Sequence, residues 1–382
     1  MKLSKEEWLK LNKRENESEN QLLELAYTTL MGNLYSDGSY PWSPYRCISP
    51  VKVVFPGIWN WDSAFHSVGV SEWDTELARE GLLGFMQFQK KSGLFPDVIY
   101  ETGEMADTFS KPPVFARACE TVYKKEKDLD FLKKVYPMLA KNADYLEKQR
   151  CFDGLFFYGC EDSENDENYE LLVKFESGWD NAVRWDKTIT DLWPVDLNSF
   201  MVMTYRSLNF IANELSLKDD AAKWLKKAET LSALINQYLW DEKRKTYADT
   251  NKITKEASDV LSPAIFMPLY IGIADTEQAL CMEKIAKVNF KSKMPTVSFD
   301  NPEYSNIYWR GPTWLNVAYF AAKGLKNYGF DVADKIKSSI LKTCAQNPGH
   351  IYENYDSISG KGLYCDHFSW SSVFIVEFIL NF

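Results

Sequence analysis

The chain has 382 residues, of which 45% are hydrophobic and 26% charged, with 44 Lys plus Arg against 54 Asp plus Glu for a formal charge of −10. This apolar content excludes a disordered chain, and the acidic balance argues against a nucleic-acid partner, whose phosphates it would repel. Aromatic residues reach 15%, with 13 Trp and 21 Tyr, an excess that points to a cleft stacking on ring-shaped ligands such as sugars.

In chain order, the segment MKLSKEEWLK has no apolar stretch of the kind a signal peptide requires. Leu23, Tyr27, Leu30 and Leu34 fall at helical steps, and Leu77, Leu82, Phe85 and Phe88 do so after Asp74, an expected N-cap. Residues 130–147 read as two helices separated at Pro137, which has no N–H to donate within a helix. Asp153-Gly154 between apolar residues predicts a hairpin. Two stripes follow: Leu197, Met201, Tyr205, Leu208, Ile211 and Leu215, then Ala221, Trp224, Leu225, Ala228, Leu231, Ile235 and Leu239. Residues 239–247 suggest a small excursion from the helical pattern. A helix is expected to begin at Pro312 and stop at Gly324. The next carries Val332, Ile336, Ile340 and Cys344, and residues 370–380 close the chain. About a dozen helices, with no Pro/Gly/Ser linker and no close repeat, predict an all-α (α/α)6 barrel with short β-hairpin excursions rather than a solenoid. Residues 1–382 are expected to form one catalytic domain, residues 1–18 being an N-terminal extension helix.

Seven scattered Cys, with no paired spacing, fit a reducing, cytoplasmic setting rather than a disulfide framework or zinc site. The longest apolar run, 264–274, is too short to span a membrane. Only three His are present, which disfavours multi-His metal centres and multi-His sugar isomerases, and no nucleotide-binding or zincin motif occurs. The acidic run 161–167 lacks the spacing of a calcium loop and reads as solvated. No metal or cofactor is implied, and the oligomeric state is left open.

Aromatic and acidic residues gather in four loop-like segments: 55–63, 176–186, 308–314 and 352–356. Rings stack on apolar sugar faces, while Asp, Asn and Arg make directional bonds to hydroxyls. Glycoside cleavage requires two carboxyl groups, one to protonate the leaving oxygen and one to attack or to activate water. Asp62, Glu176, Asp180, Asp186, Glu353 and Asp356 are the candidates.

FPGIWNWDSAFH, ESGWDNAVRWD, YWRGPTW and YENYD, in this order, resemble glycoside hydrolase family 63 from about residue 20 to the C-terminus. More distantly, the ESGWD segment with its following RW resembles the family 37 trehalases. The resemblance implies an (α/α)6 barrel and an inverting, exo-acting α-glycosidase, most simply an α-glucosidase, acting on a small glycoside or short oligosaccharide. A trehalase-like hydrolase, or an epimerase or isomerase on the same barrel, is the alternative. By the same resemblance Asp180 matches the general acid and Glu353 the general base. Trp59, Trp61, Asp62, Trp179, Arg184, Tyr308, Trp309, Arg310 and Trp314 fall in the substrate-binding motifs. Trp179 beside Asp180 is expected to raise its pKa, whereas Glu353 between Tyr352 and Asn354 is expected to sit in a polar, water-holding setting. Inversion calls for the two carboxyls ~6.5–9.5 Å apart. Where relatives read Ser-Gln-Pro-Pro, this chain has Ser110-Lys111-Pro112-Pro113. Lys111 is expected to meet an anionic substrate group, to pack its stem with the ammonium in water, or to pair with Asp97.

Overall fold

The computed structural model describes residues 2–382. Fourteen α-helices occur among them: α1 (Lys5–Leu11), α2 (Glu17–Gly32), α3 (Asn60–Val70), α4 (Thr75–Met86), α5 (Phe115–Glu126), α6 (Leu129–Gln149), α7 (Tyr169–Ser177), α8 (Val195–Glu214), α9 (Lys218–Tyr238), α10 (Met267–Tyr270), α11 (Thr276–Val288), α12 (Leu315–Asn327), α13 (Val332–Ala345) and α14 (Ser369–Leu380). Strands of two or three residues pair in six small antiparallel sheets, including the expected hairpin of 151–152 with 155–156 and the excursion of 240–241 with 246–247.

Helix contacts close a circle, α3 to α5, α8, α10, α12, α14 and back to α3. A second layer lies outside it, with α4 on α3, α6 on α5, α9 on α8, α13 on α12 and α2 on α14. This is a helical toroid, and the residue patterns say why each helix takes its layer. In α14 (SWSSVFIVEFIL) apolar residues surround the axis, so it is stable only with neighbours on every side. In α9 the buried residues Ala221, Trp224, Ala228, Leu231 and Ile235 form one stripe, leaving the opposite face to water.

Five helices, α1, α2, α4, α6 and α11, start on a side-chain cap. Asp74 accepts from the Leu77 N–H, as expected, and Asp275 with Gln278 forms a capping box. Two boundaries differ from expectation. α6 runs unbroken through Pro137. Pro137 is exposed, so the Lys133 carbonyl it leaves unbonded faces water, while Leu132, Val135, Tyr136 and Leu139 bury the other face. α12 starts at Leu315, not Pro312, and passes Gly324. Gly324 lies against the backbone of Phe266 and Tyr270, where a Cβ would collide, so it serves close helix packing rather than termination. All seven Cys are free, the acidic run 161–167 is largely exposed, and no helix among the described residues is long and apolar enough to cross a membrane.

Candidate active site

The N-terminal ends of the inner helices α3, α12 and α14 meet at one place in the ring. A cavity of about 80 Å³ opens there. Its wall includes Trp59, Trp61 and Asp62 at the start of α3, Trp314 before α12, and Phe368 and Trp370 at the start of α14. Loops supply Lys111, Gly178, Asp180, Tyr308, Trp309 and Glu353.

Of the six candidate carboxylates, the fold brings Asp62, Asp180 and Glu353 to this cavity. The other three have structural partners. Glu176 is buried, accepts from the Gly159 N–H at 2.5 Å and lies 3.4 Å from Arg150 Nε. Asp186 takes both terminal nitrogens of Arg310, at 2.6 and 2.8 Å. Asp356 caps a turn by accepting from the Ile358 and Ser359 N–H groups. Glu176 and Asp180 diverge because α7 ends at Ser177 and Gly178 turns the chain at φ +73°. A side chain at 178 would meet the Trp61 ring at 2.5 Å, so this turn needs glycine twice over.

The two halves of the site are tied together by backbone and side-chain bonds. Asn181 Oδ1 accepts from the Trp309 N–H at 2.9 Å, joining the Asp180 loop to the 308–310 loop. Tyr308 sits at φ +49°, an uncommon conformation for a bulky residue. Its backbone is held there by Tyr364, which accepts its N–H, and by the Trp314 indole, which donates to its carbonyl. The result is a Tyr308 hydroxyl donating to Glu353 Oε1 at 2.8 Å. Thr313 and Tyr355 exchange backbone bonds in both directions, fixing the Glu353 strand to the same loop.

A chain of indoles forms the wall of the hollow and its backing. Trp179 tilts against Trp309 at 5.0 Å between centroids, Trp309 stacks on Trp314 at 3.8 Å, and Trp370 lies between Trp314 and Trp61. The buried indole N–H groups of Trp59 and Trp370 have no hydrogen-bond acceptor among the described residues.

Three expected substrate contacts lie outside the cavity. Trp179 is fully buried behind Trp309. Arg184 is buried between Asp196 and Asp249, with four contacts of 2.6–3.0 Å, and its guanidinium packs over Trp179 at 5.0 Å. Arg310 is engaged by Asp186 and Asn181. Each of these supports the wall rather than facing a ligand. Pro50, Phe368 and Trp370 are the cavity residues that motif reasoning passed over, the last two carrying a usable signal. Their signal was positional: Trp370 stands at the start of an inner helix, as Trp61 and Trp314 do.

Lys111 lines the cavity and forms an ion pair with Asp97 at 3.0 Å, one of the three expected outcomes, and its burial overturns the expectation of an ammonium in water. Its charge also reaches Asp180 and Asp62. Burial pushes the Asp180 carboxyl up to about 6, with Lys111 the main opposing influence. Burial likewise raises Asp62 to about 7, again against Lys111. Glu353 is raised by burial to about 7, although the Tyr308 hydroxyl and Cys365 N–H favour its charged form. The expectation of a polar setting for Glu353 is therefore corrected: it is 3% exposed, and loss of hydration outweighs its two donors.

The profile of the "Mannosylglycerate hydrolase MGH1-like glycoside hydrolase domain" matches residues 55–371, a span containing all four motifs. The chain belongs to this glycoside hydrolase family. It is 22% identical over 422 residues to a mannosylglycerate hydrolase from Rubrobacter radiotolerans, covering 87% of this chain and 92% of that protein. The crystal structure of a family 63 mannosylglycerate hydrolase from Thermus thermophilus in complex with glucose shares its fold, with a TM-score of 0.78 and 23% identity over 92% of this chain and 98% of that one. The neutral trehalase of Saccharomyces cerevisiae is a more distant fold relative, with a TM-score of 0.69 and 19% identity over 88% of this chain and 74% of that one. In this glycoside hydrolase, the cavity with Asp62, Asp180 and Glu353 is the candidate active site.

Proposed function

We propose that this glycoside hydrolase is an inverting, exo-acting α-glycosidase built on an (α/α)6 barrel, hydrolysing a small α-glycoside. The observation that carries the reading is one ring-walled hollow holding Asp180 and Glu353, 173 positions apart in the chain, with Asp62 beside them. Asp180, retaining its proton near pH 6, gives it to the glycosidic oxygen as the bond to the anomeric carbon breaks. Glu353, held by Tyr308, takes a proton from a water that attacks the anomeric carbon from the opposite face. Asp62 and the indole N–H groups of Trp59 and Trp370 bind hydroxyls of the terminal sugar, and Trp61 and Trp309 pack on its faces. A cavity of about 80 Å³ favours one terminal ring over a through-running polysaccharide.

The residues 1–382 act as one catalytic domain in this reading, with 1–18 an extension. Lys111 sets the charge of the carboxylates beside it, and with Asp97 opposite it carries no net surplus for an anionic aglycone. The leading substrates are neutral α-glucosides; the names of the relatives make mannosylglycerate the first acidic glycoside to compare. The test is a panel of α-glucosides, α-mannosides and mannosylglycerate, with the product anomer followed by NMR. A first-formed β-anomer is expected; a first-formed α-anomer, or an isomerised sugar without hydrolysis, overturns the mechanism. Preference for mannosylglycerate would keep the mechanism and replace the α-glucosidase reading.

A further inference from the structure

The chain has three His, and two of them converge with one carboxylate in loop segments outside the helices. His66, the third, is buried and bonded to Ser369 Oγ at 2.7 Å, and burial pushes it down to about 3. His350 and His367 are exposed, and Asp366 stands between them. Asp366 Oδ1 accepts the His367 N–H at 2.6 Å, which orients the carboxylate. Its Oδ2 then lies 2.5 Å from His350 Nδ1 and 3.6 Å from His367 Nε2. His367 takes a left-handed backbone, φ +52°, and its carbonyl accepts from Asn33 at 2.9 Å. One ligand atom from each of the three side chains lies within 4.8 Å of the others. A tetrahedral zinc set places donors roughly 3.3 Å apart, so small side-chain rotations complete it.

We propose that His350, Asp366 and His367 form a binding site for a divalent transition-metal cation of the zinc type. Two imidazoles and one carboxylate are the donors such ions select, and the remaining position is open to water. The surroundings say what the ion does. Residues 351–355 and 362–368 already run side by side: 354–355 pair with 362–363, Glu353 N–H donates to the Cys365 carbonyl at 2.8 Å, and Phe368 N–H to that of Ile351 at 2.9 Å. Asp366 and His367 lie between the 353–365 and 351–368 rungs of this ladder, and His350 lies just beyond the second. A bound ion clips the two segments together and stiffens the frame of Glu353 without touching the cavity. This inference is independent of the catalytic reading.

The test is isothermal titration of the metal-free full chain with zinc chloride, repeated on His350→Ala, His350→Gln and His367→Ala. One zinc per chain is expected, with a dissociation constant in the ~micromolar range and a melting temperature higher by about 2–5 °C at saturation. Each variant is expected to bind at least ~10-fold more weakly while keeping its circular dichroism spectrum. Cobalt titration provides a second readout, because thiolate ligation gives a strong charge-transfer band that imidazole and carboxylate do not. Absence of binding to the wild-type chain, binding unchanged in all three variants, or a thiolate band from neighbouring Cys365 overturns the proposal.

Discussion

Two hollows of the helical ring treat buried acids differently. Where the N-termini of α3, α12 and α14 meet, Asp62, Asp180 and Glu353 crowd a hollow of about 80 Å³ with Lys111 as the cation of its lining, itself paired with Asp97. Elsewhere in the ring, a larger cavity of about 610 Å³ is lined by α3, α5, α8, α12 and α14. There Arg117, Lys124 and the Ser207 hydroxyl all engage Glu120 and hold it below the usual carboxylate range. Lys125 takes Glu72 at 2.8 Å, and Glu377, though raised by burial, accepts from Asn381 and Tyr319. The larger hollow is thus the more fully compensated one. Acids kept protonatable near neutrality mark the smaller hollow as the place for chemistry.

The strongest way to break this contrast is to neutralise the acids. Asp180→Asn and Glu353→Gln are each expected to lower kcat by ~10²–10⁴-fold with the fold intact by circular dichroism. Near-wild-type turnover in either would sink the assignment. Arg184→Met tests the opposite class of charge. It strands Asp196 and Asp249 in the core, so urea denaturation should reveal a loss of ~3–5 kcal/mol.

Asp62→Asn should separate stability from function. A carboxyl raised to about 7 binds its proton more tightly in the folded chain, so its contribution falls as pH rises from the unfolded value of ~3.9 through 7. The variant is expected to lose activity yet gain up to a few kcal/mol relative to wild type at pH 8, with little gain at pH 4. Thermal melts at the two pH values decide it. The smallest effect concerns Lys111. With Asp180 near 6 and Glu353 near 7, the reactive form has the first protonated and the second ionised, so kcat/KM should peak midway, at about 6.5. Lys111→Met removes a charge that lowers Asp180, and the optimum should move up by half of the Asp180 shift. A downward or absent shift in the pH–rate profile would remove Lys111 from this role.

Motif reading went far because chemistry and stacking are local demands: a WD, an ESGWD and a YENYD segment must each present their acid beside rings, whatever the rest of the chain does. Residue types and spacing alone leave Asp180 and Glu176, four positions apart in one motif, as equal candidates, and the family resemblance is what singles out Asp180. In the fold that choice is made by the left-handed turn at Gly178, which sends one carboxyl into the hollow and leaves the other against Arg150. Motif reading could not see that Arg184 and Arg310 face acids of their own, since Asp249 lies 65 positions from the former and Asp186 124 from the latter.

The residue order by itself determined the apolar stripes of the long helices, the Asp74 cap and the four segments carrying rings and acids, because these depend on neighbours within a few positions. Only the closed ring decided which acids share water-poor space, which are neutralised by distant cations, and that Glu353 loses hydration despite polar neighbours. Hydration and charge compensation are set by everything within a few ångströms, and in a toroid most of that comes from far along the chain.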